Sequence, residues 1–266
     1  MAELAVVFMA NDAYAGWARP FLRDQAPDAP LFCIPYAGDM AGIAAMQAEF
    51  GFRFVEADYA AIDAFADECF PDGRPRRRNL RKLAALDMPG TPFLYLDCDL
   101  LVTSPLAPVL AGLAAAPADL VYFAESWSWV FNRDSVEEMQ RRFAAPLAST
   151  GGFALRRPGL TSAAVMALIR ENWALYQRVR HPDVIDQPLL NLAWRLAGFG
   201  MMSLEQALPG HTGQSWFRDA AIVADESGRL WRLGQRVVAL HWAGAKKDRA
   251  TPALAPLMAR YRVPGA

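Results

Sequence analysis

The chain has little of several things that would assign it a class at once. Three cysteines (Cys33, Cys69, Cys98) in 266 residues are too few and too scattered for a disulfide framework or a zinc knuckle. Reduced thiols and a cytoplasmic setting are the expectation. Three histidines are fewer than a metal-dependent phosphohydrolase needs. The formal net charge of −1 supplies no bulk attraction to nucleic acid or to an anionic membrane. No apolar run is long enough to span a bilayer, and the N-terminal LAVVFMA lacks the basic flank of a signal peptide. Repeats and low-complexity linkers are missing too, so 1–266 reads as one domain.

What is present is ample core material, with 54% hydrophobic and 21% charged residues. Short apolar runs predict strands at Leu4–Met9, Leu31–Pro35, Phe52–Glu56, Pro92–Leu96 and Leu120–Phe123. Between them, Asp39–Phe50 and Tyr59–Cys69 have helical spacing. Strands separated by such helices imply right-handed crossovers, an α/β class and a mostly parallel sheet flanked by helices. Ligands of such sheets sit beyond the carboxyl ends of the strands. Further along, Phe153–Arg156 reads as a strand, and Ser162–Val179 and Asp186–Leu196 read as helices. The runs Ala221–Ala224, Arg229–Leu233 and Val237–His241 suggest a small antiparallel C-terminal addition.

The most informative segment is TPFLYLDCDLLVTSP. An apolar strand ends in Asp97-Cys98-Asp99 and is followed by more apolar residues. Carboxylates at i and i+2 converge on one point only where the chain leaves its pleat. So placed, they bind a hard divalent cation that can neutralise a diphosphate. Turn or capping carboxylates are the alternative. Cys98 between them is expected to point inward as a small apolar filler.

Three more segments follow in order: Ser149-Thr150-Gly151-Gly152-Phe153, then Asp186-Gln187 with Leu190-Asn191, and finally His241-Trp242-Ala243-Gly244-Ala245-Lys246-Lys247. Together with YLDCDLLV, the set resembles the retaining glycosyltransferases of the GT-A fold, in particular family 8 with its galactosyltransferase and glycogenin-like members. The resemblance spans about 160 residues and departs from the family at Ser149, where an Asn is usual. It implies a hexosyltransferase of GT-A (Rossmann-like) fold, with a nucleotide-binding half over 1–125 and an acceptor and catalytic half over 126–266. The implied donor is a UDP- or GDP-sugar and the implied acceptor a saccharide or glycoside hydroxyl.

The resemblance also implies roles for residues. His241 would join Asp97 and Asp99 as a metal ligand. Two carboxylates and an imidazole suit Mn²⁺ better than Mg²⁺, which prefers oxygen. Lys247, beside Gly244, would meet the donor phosphates, though the Lys246-Lys247 doublet leaves the register open. Arg74–Lys82 carries six positive charges in nine residues and reads by itself as a solvated basic helix start. Within it Arg78 and Lys82, one α-helical turn apart, are the candidates to reach the donor. Asn11 and Asp12 fall where the family contacts base and ribose, or they cap the helix that starts near Ala13. Asp186 and Gln187 would lie under the anomeric carbon, unless Asp186 is a helix cap ahead of Pro188. Glu125, Trp127 and Trp129 form a loop fit either to stack on an acceptor sugar or to fill core.

Two other readings remain open. A sugar nucleotidyltransferase would show a glycine-rich basic loop after the first strand, where ANDAYAGW has one glycine and no lysine. A noncatalytic nucleotide- or sugar-binding module would keep the scaffold without turnover. Homo-oligomerisation is left open.

Overall fold

The computed structural model describes residues 4–25, 29–88, 92–125, 130–143, 146–157, 159–216 and 219–241. Seven strands form the main sheet: β1 (Ala5–Ala10), β2 (Leu31–Pro35), β3 (Arg53–Phe54), β4 (Phe93–Leu96), β6 (Leu120–Tyr122), β7 (Gly152–Leu155) and β8 (Met201–Ser203), in the order β3-β2-β1-β4-β7-β6-β8. All pairings are parallel except those of β7, which runs against both its neighbours. The expected α/β class and mostly parallel sheet are therefore what the chain adopts.

Burial on both faces explains the continuous apolar strands. In β1, Ala5 and Val7 join one core and Val6, Phe8 and Ala10 the other. In β4 the alternation continues, with Phe93 and Tyr95 on the first side and Leu94 and Leu96 on the second. Helices α1 (Ala15–Gln25), α2 (Ala41–Phe50) and α3 (Tyr59–Cys69) connect the first strands. The Asp58 carboxylate caps α3, accepting from Ala61 N at 2.9 Å. Then come α4 (Leu106–Ala115) and α5 (Val136–Phe143).

The segment expected as one helix over Ser162–Val179 is two, α6 (Ser162–Glu171) and α7 (Trp173–Val179). Asn172 divides them. Its amide donates to Leu168 O at 2.9 Å while its backbone leaves helical geometry at φ −109°, ψ 28°. This is the competition for backbone partners that keeps Asn out of helix interiors. Helix α8 (Asp186–Leu196) has the bounds the sequence predicts.

A second sheet lies at the carboxyl end of the first. Strands β10 (Ile222–Ala224), β11 (Leu230–Arg232), β12 (Gln235–His241) and β5 (Leu100–Val102) are antiparallel, and β9 (His211–Trp216) pairs with β12 in parallel. The C-terminal addition is thus larger than the small antiparallel one the sequence suggests. It captures β5 from the middle of the chain and adds β9, whose buried Thr212, Gln214 and Ser215 disguise it as loop. No helix among the described residues is long and apolar enough to cross a membrane.

The sheets are joined by backbone. Phe123 N donates to Gly152 O at 3.1 Å, and Gln214 N donates to Phe123 O at 2.9 Å. Gly213 permits this approach, since a Cβ there would lie 2.2 Å from Phe123 O. Backbone cannot yield as a flexible side chain would, so Gly213→Ala should cost about 1–3 kcal/mol. Urea denaturation followed by circular dichroism would measure it; an unchanged midpoint would mean the sheets are not held here.

Candidate functional site

Strand β4 ends at Leu96, and Asp97-Cys98-Asp99 turns the chain out of the main sheet into β5 of the second. Leu100 N donates to Asp97 O at 2.9 Å to close that turn, and Asp97 N donates to Gly151 O at 2.8 Å. The D-x-D leaves the pleat where the sequence required it to. Cys98 is buried among Leu96, Leu100 and their neighbours, the filler expected. Burial first, then Asp99 and Asp97, pushes its thiol well up, so it stays neutral between the carboxylates.

His241 ends β12, opposite Leu100 in register. Asp97, Asp99 and His241 each offer a ligand atom within 4.8 Å of the others'. His241 Nε2 lies 3.4 Å from Asp99 Oδ1. Gly151 keeps the space between them open: a Cβ there would lie 3.2 Å from both Asp97 Oδ2 and His241 Cε1. Two carboxylates and an imidazole around a cradle that a methyl group would fill are a fit for a divalent cation.

These residues form one wall of a 570 Å³ cavity at the carboxyl end of the sheet. Across it, Lys82 is 4% exposed and bridges two acids. Its ammonium lies 2.7 Å from Asp186 Oδ2 and 3.2 Å from Asp97 Oδ1, and it donates to Thr150 O at 2.9 Å. Thr150 Oγ1 donates to Asp186 at 2.6 Å, and Tyr95 Oη donates to Asp97 at 2.7 Å. Burial opposes the charge on Asp186, but the Lys82 ammonium and Thr150 hydroxyl outweigh it and hold its carboxyl below the usual range. For Asp97, burial wins over Lys82, and Asp99 and Asp186 add to the upward push. Asp99 lies below the usual range because the His241 contact overcomes its burial.

The segment before Lys82 is not an α-helix. Pro75–Asp87 is 3-10 throughout, with three residues per turn. Arg76, Asn79 and Lys82 therefore share the face that lines the cavity. Arg78 and Lys82, expected on one α-helical face, are parted by the tighter winding. Arg78 turns to α3, 3.2 Å from Asp67 and 3.6 Å from Asp63. Arg77 pairs with Asp67, and Arg81 with Asp63, each at 2.5 Å. The basic run is neutralised against α3 rather than solvated. Arg76 lines the cavity and makes no ion pair among the described residues.

Asp186 is the first residue of α8, not its cap; Ile185 holds the cap position. Gln187 lines the cavity beside it, and its buried Oε1 has no hydrogen-bond partner. Asn191, one turn on, is fully buried and exchanges two 2.8 Å hydrogen bonds with the Ala148 backbone. The Asn of the D-Q-x-x-L-N segment thus holds the strand-like 148–151 stretch that carries Thr150 and Gly151. Ser149 is buried there, and its Oγ accepts from Gly151 N at 3.4 Å.

Asn11 and Asp12 do not line the cavity. Asp12 caps α2 rather than its own helix, accepting from Gly42 N at 2.8 Å and Ile43 N at 2.9 Å. Asn11 donates to Ala37 O at 2.6 Å. They brace the loop that presents Tyr14, which lines the cavity and meets Tyr36 edge-on at 6.0 Å. Glu125 accepts from Tyr122 Oη at 3.2 Å. Trp127, Trp129, Gly244, Lys246 and Lys247 lie outside the described residues.

Two residues of β9 escaped the sequence reading. Gln214 Nε2 is 2.7 Å from His241 Nδ1. Trp216, 43% exposed, stacks on the imidazole at 4.7 Å and 17°. The buried polar residues of β9, Thr212, Gln214 and Ser215, give it no alternating apolar pattern to read.

No protein-family model and no curated protein matches the chain. Among solved structures it is similar to the apo form of the glycosyltransferase GlyE of Streptococcus pneumoniae TIGR4, at 14% identity and a TM-score of 0.45 over 76% of this chain. The match spans 45% of that protein's length. It is also similar to apo mouse xyloside xylosyltransferase 1, at 14% identity and a TM-score of 0.44 over 75% of this chain and 84% of that one. Likeness at this level names no activity, so function is argued from the cavity.

Lys82→Met would leave the buried Asp186 carboxylate and the half-buried Asp97 carboxylate without their cation, at a cost of about 3–5 kcal/mol. The sign with pH follows from the shifts. In the native chain the depressed Asp186 contributes stability above the unfolded carboxylate pKa and loses it only as pH falls through the folded value. In the variant, the burial of these carboxyls is no longer offset by the Lys82 cation, which moves both upward, so stability is lost as pH rises. The gap between the two proteins should be widest near pH 8 and narrow toward pH 5 in denaturant titrations.

Proposed function

We propose that the chain is a metal-dependent, retaining glycosyltransferase of the GT-A type, moving a hexose from a UDP- or GDP-sugar to a saccharide or glycoside hydroxyl. One observation carries this reading: two carboxylates from a sheet-switching turn and an imidazole from the second sheet converge, beside an open cradle, in a cavity at the carboxyl end of the main sheet. A divalent cation held by Asp97, Asp99 and His241, Mn²⁺ before Mg²⁺, would neutralise the donor's diphosphate and the charge left on the departing nucleoside diphosphate.

The chain's own groups divide the remaining work. Tyr14 and Tyr36, on the nucleotide-binding half, both line the cavity and can offer aromatic faces to a nucleoside. The resemblance gives Lys247, beside Gly244, the donor phosphates. Asp186 is engaged by Lys82 and Thr150, and a carboxylate so stabilised is a weak base and nucleophile. Its part is to hold Lys82 against the donor sugar's side of the cavity. Gln187, with its unpartnered Oε1, is the polar group for the anomeric carbon as positive charge develops there. Arg76 on the rim suits an anionic acceptor, and the cytoplasm is the proposed location.

Thermal melting against UDP, GDP, dTDP and CMP, each with and without Mn²⁺, tests the reading, because a ligand of the folded state raises the melting temperature with its occupancy. The expected result is a shift that needs one nucleoside diphosphate together with Mn²⁺ and disappears in Asp99→Ala. No shift with any pair would remove the glycosyltransferase reading. Gln187→Ala should keep that shift while kcat falls by about 10²-fold. NMR of the product's anomeric configuration would decide retention against inversion.

A further inference from the structure

We infer that Gln214 is the positioning residue of the metal site and that its amide turns over to set the tautomer of His241. The inference rests on the metal reading of Asp97, Asp99 and His241. Gln214 is 6% exposed, and its Nε2 lies 2.7 Å from His241 Nδ1, while its Oε1 is buried without a partner. In this arrangement the amide donates and Nδ1 accepts. A neutral imidazole then carries its proton on Nε2, the atom that faces Asp99 Oδ1 at 3.4 Å. A protonated Nε2 has no lone pair for a cation.

A half-turn of the amide reverses this. Oε1 takes the place of Nε2 and accepts from Nδ1–H, so the lone pair of His241 Nε2 faces Asp97 and Asp99. Metal-binding histidines are held in this way by an acceptor on their other nitrogen.

The ring itself cannot exchange its nitrogens easily. Trp216 stacks on one face of the imidazole. The mobile element is therefore the amide, and the proton moves from Nε2 to Nδ1 with no net change of charge. Of the two orientations of the Gln214 amide, only the one with Oε1 on Nδ1 presents His241 as a ligand.

Only three histidines are present, so ¹⁵N NMR of the imidazoles can follow His241 in the unsubstituted chain. The expected result is Nε2–H without metal and Nδ1–H with saturating Mg²⁺. In parallel, Mn²⁺ affinity is measured by electron paramagnetic resonance of the free ion, without nucleotide. Gln214→Leu removes the acceptor and should weaken Mn²⁺ binding about 10–100-fold. Gln214→Glu, an obligate acceptor, should restore binding to near the native value. An unchanged tautomer on adding Mg²⁺, or equal affinity in the Leu variant, would overturn the inference while leaving the metal site standing. Failure of the unsubstituted chain to bind Mn²⁺ would remove the site and the inference together. Should the Leu variant not fold, the tautomer measurement on the native chain decides.

Discussion

The Lys82 ammonium, buried between Asp97 and Asp186, is the interaction on which the cavity depends. An uncompensated charge at such depth would cost several kcal/mol, so the three groups must arrive together. Each comes from a different place: a 3-10 segment, the end of β4 and the start of α8. Satisfying one ion cluster therefore fixes how the first and second halves of the chain meet. Thr150 completes it, bonded to both Asp186 and Lys82. The 148–151 stretch that carries Thr150 is held in turn by Asn191 from α8.

Around that cluster the backbone is drawn unusually close. Gly151, Gly152 and Gly213 occupy points where a side chain would strike Asp97, Phe123 or the Phe123 backbone. These glycines let β4, β6, β7 and β9 converge at one end of the main sheet. The cavity opens there, at the carboxyl edge where α/β sheets place their ligands. His241 is delivered from the second sheet across the same junction. The site exists because two sheets meet at Asp97–Asp99, not because any one element carries it.

Much of this was legible beforehand, and the reasons differ by residue. Strands β1, β2 and β4 announced themselves because both faces are buried, which leaves a continuous apolar run. Helix α8 was legible from its apolar spacing. The turn at Asp97–Asp99 was legible because acids do not end an apolar strand without cause. Asn172 did not declare that it would split a helix, since its side chain competes with the backbone only in a given geometry. Nor did Gln214 and Trp216 stand out, because β9 buries polar residues that read as loop.

By itself, the amino-acid sequence determined the class of sheet and the position of the acidic turn. Those are local properties, written in periodicity and in the chemistry of neighbouring residues. Tertiary structure alone decided which cations serve the cavity. The run Arg74–Lys82 offers six, and only the three-residue winding of its helix, set against the acids of α3, turns Arg76 and Lys82 inward and Arg78 away. It also decided that Asp12 braces a neighbouring helix and that His241 has Gln214 as its partner. Such pairings join residues tens to more than a hundred positions apart, and no local pattern in the chain encodes the distance between them in space.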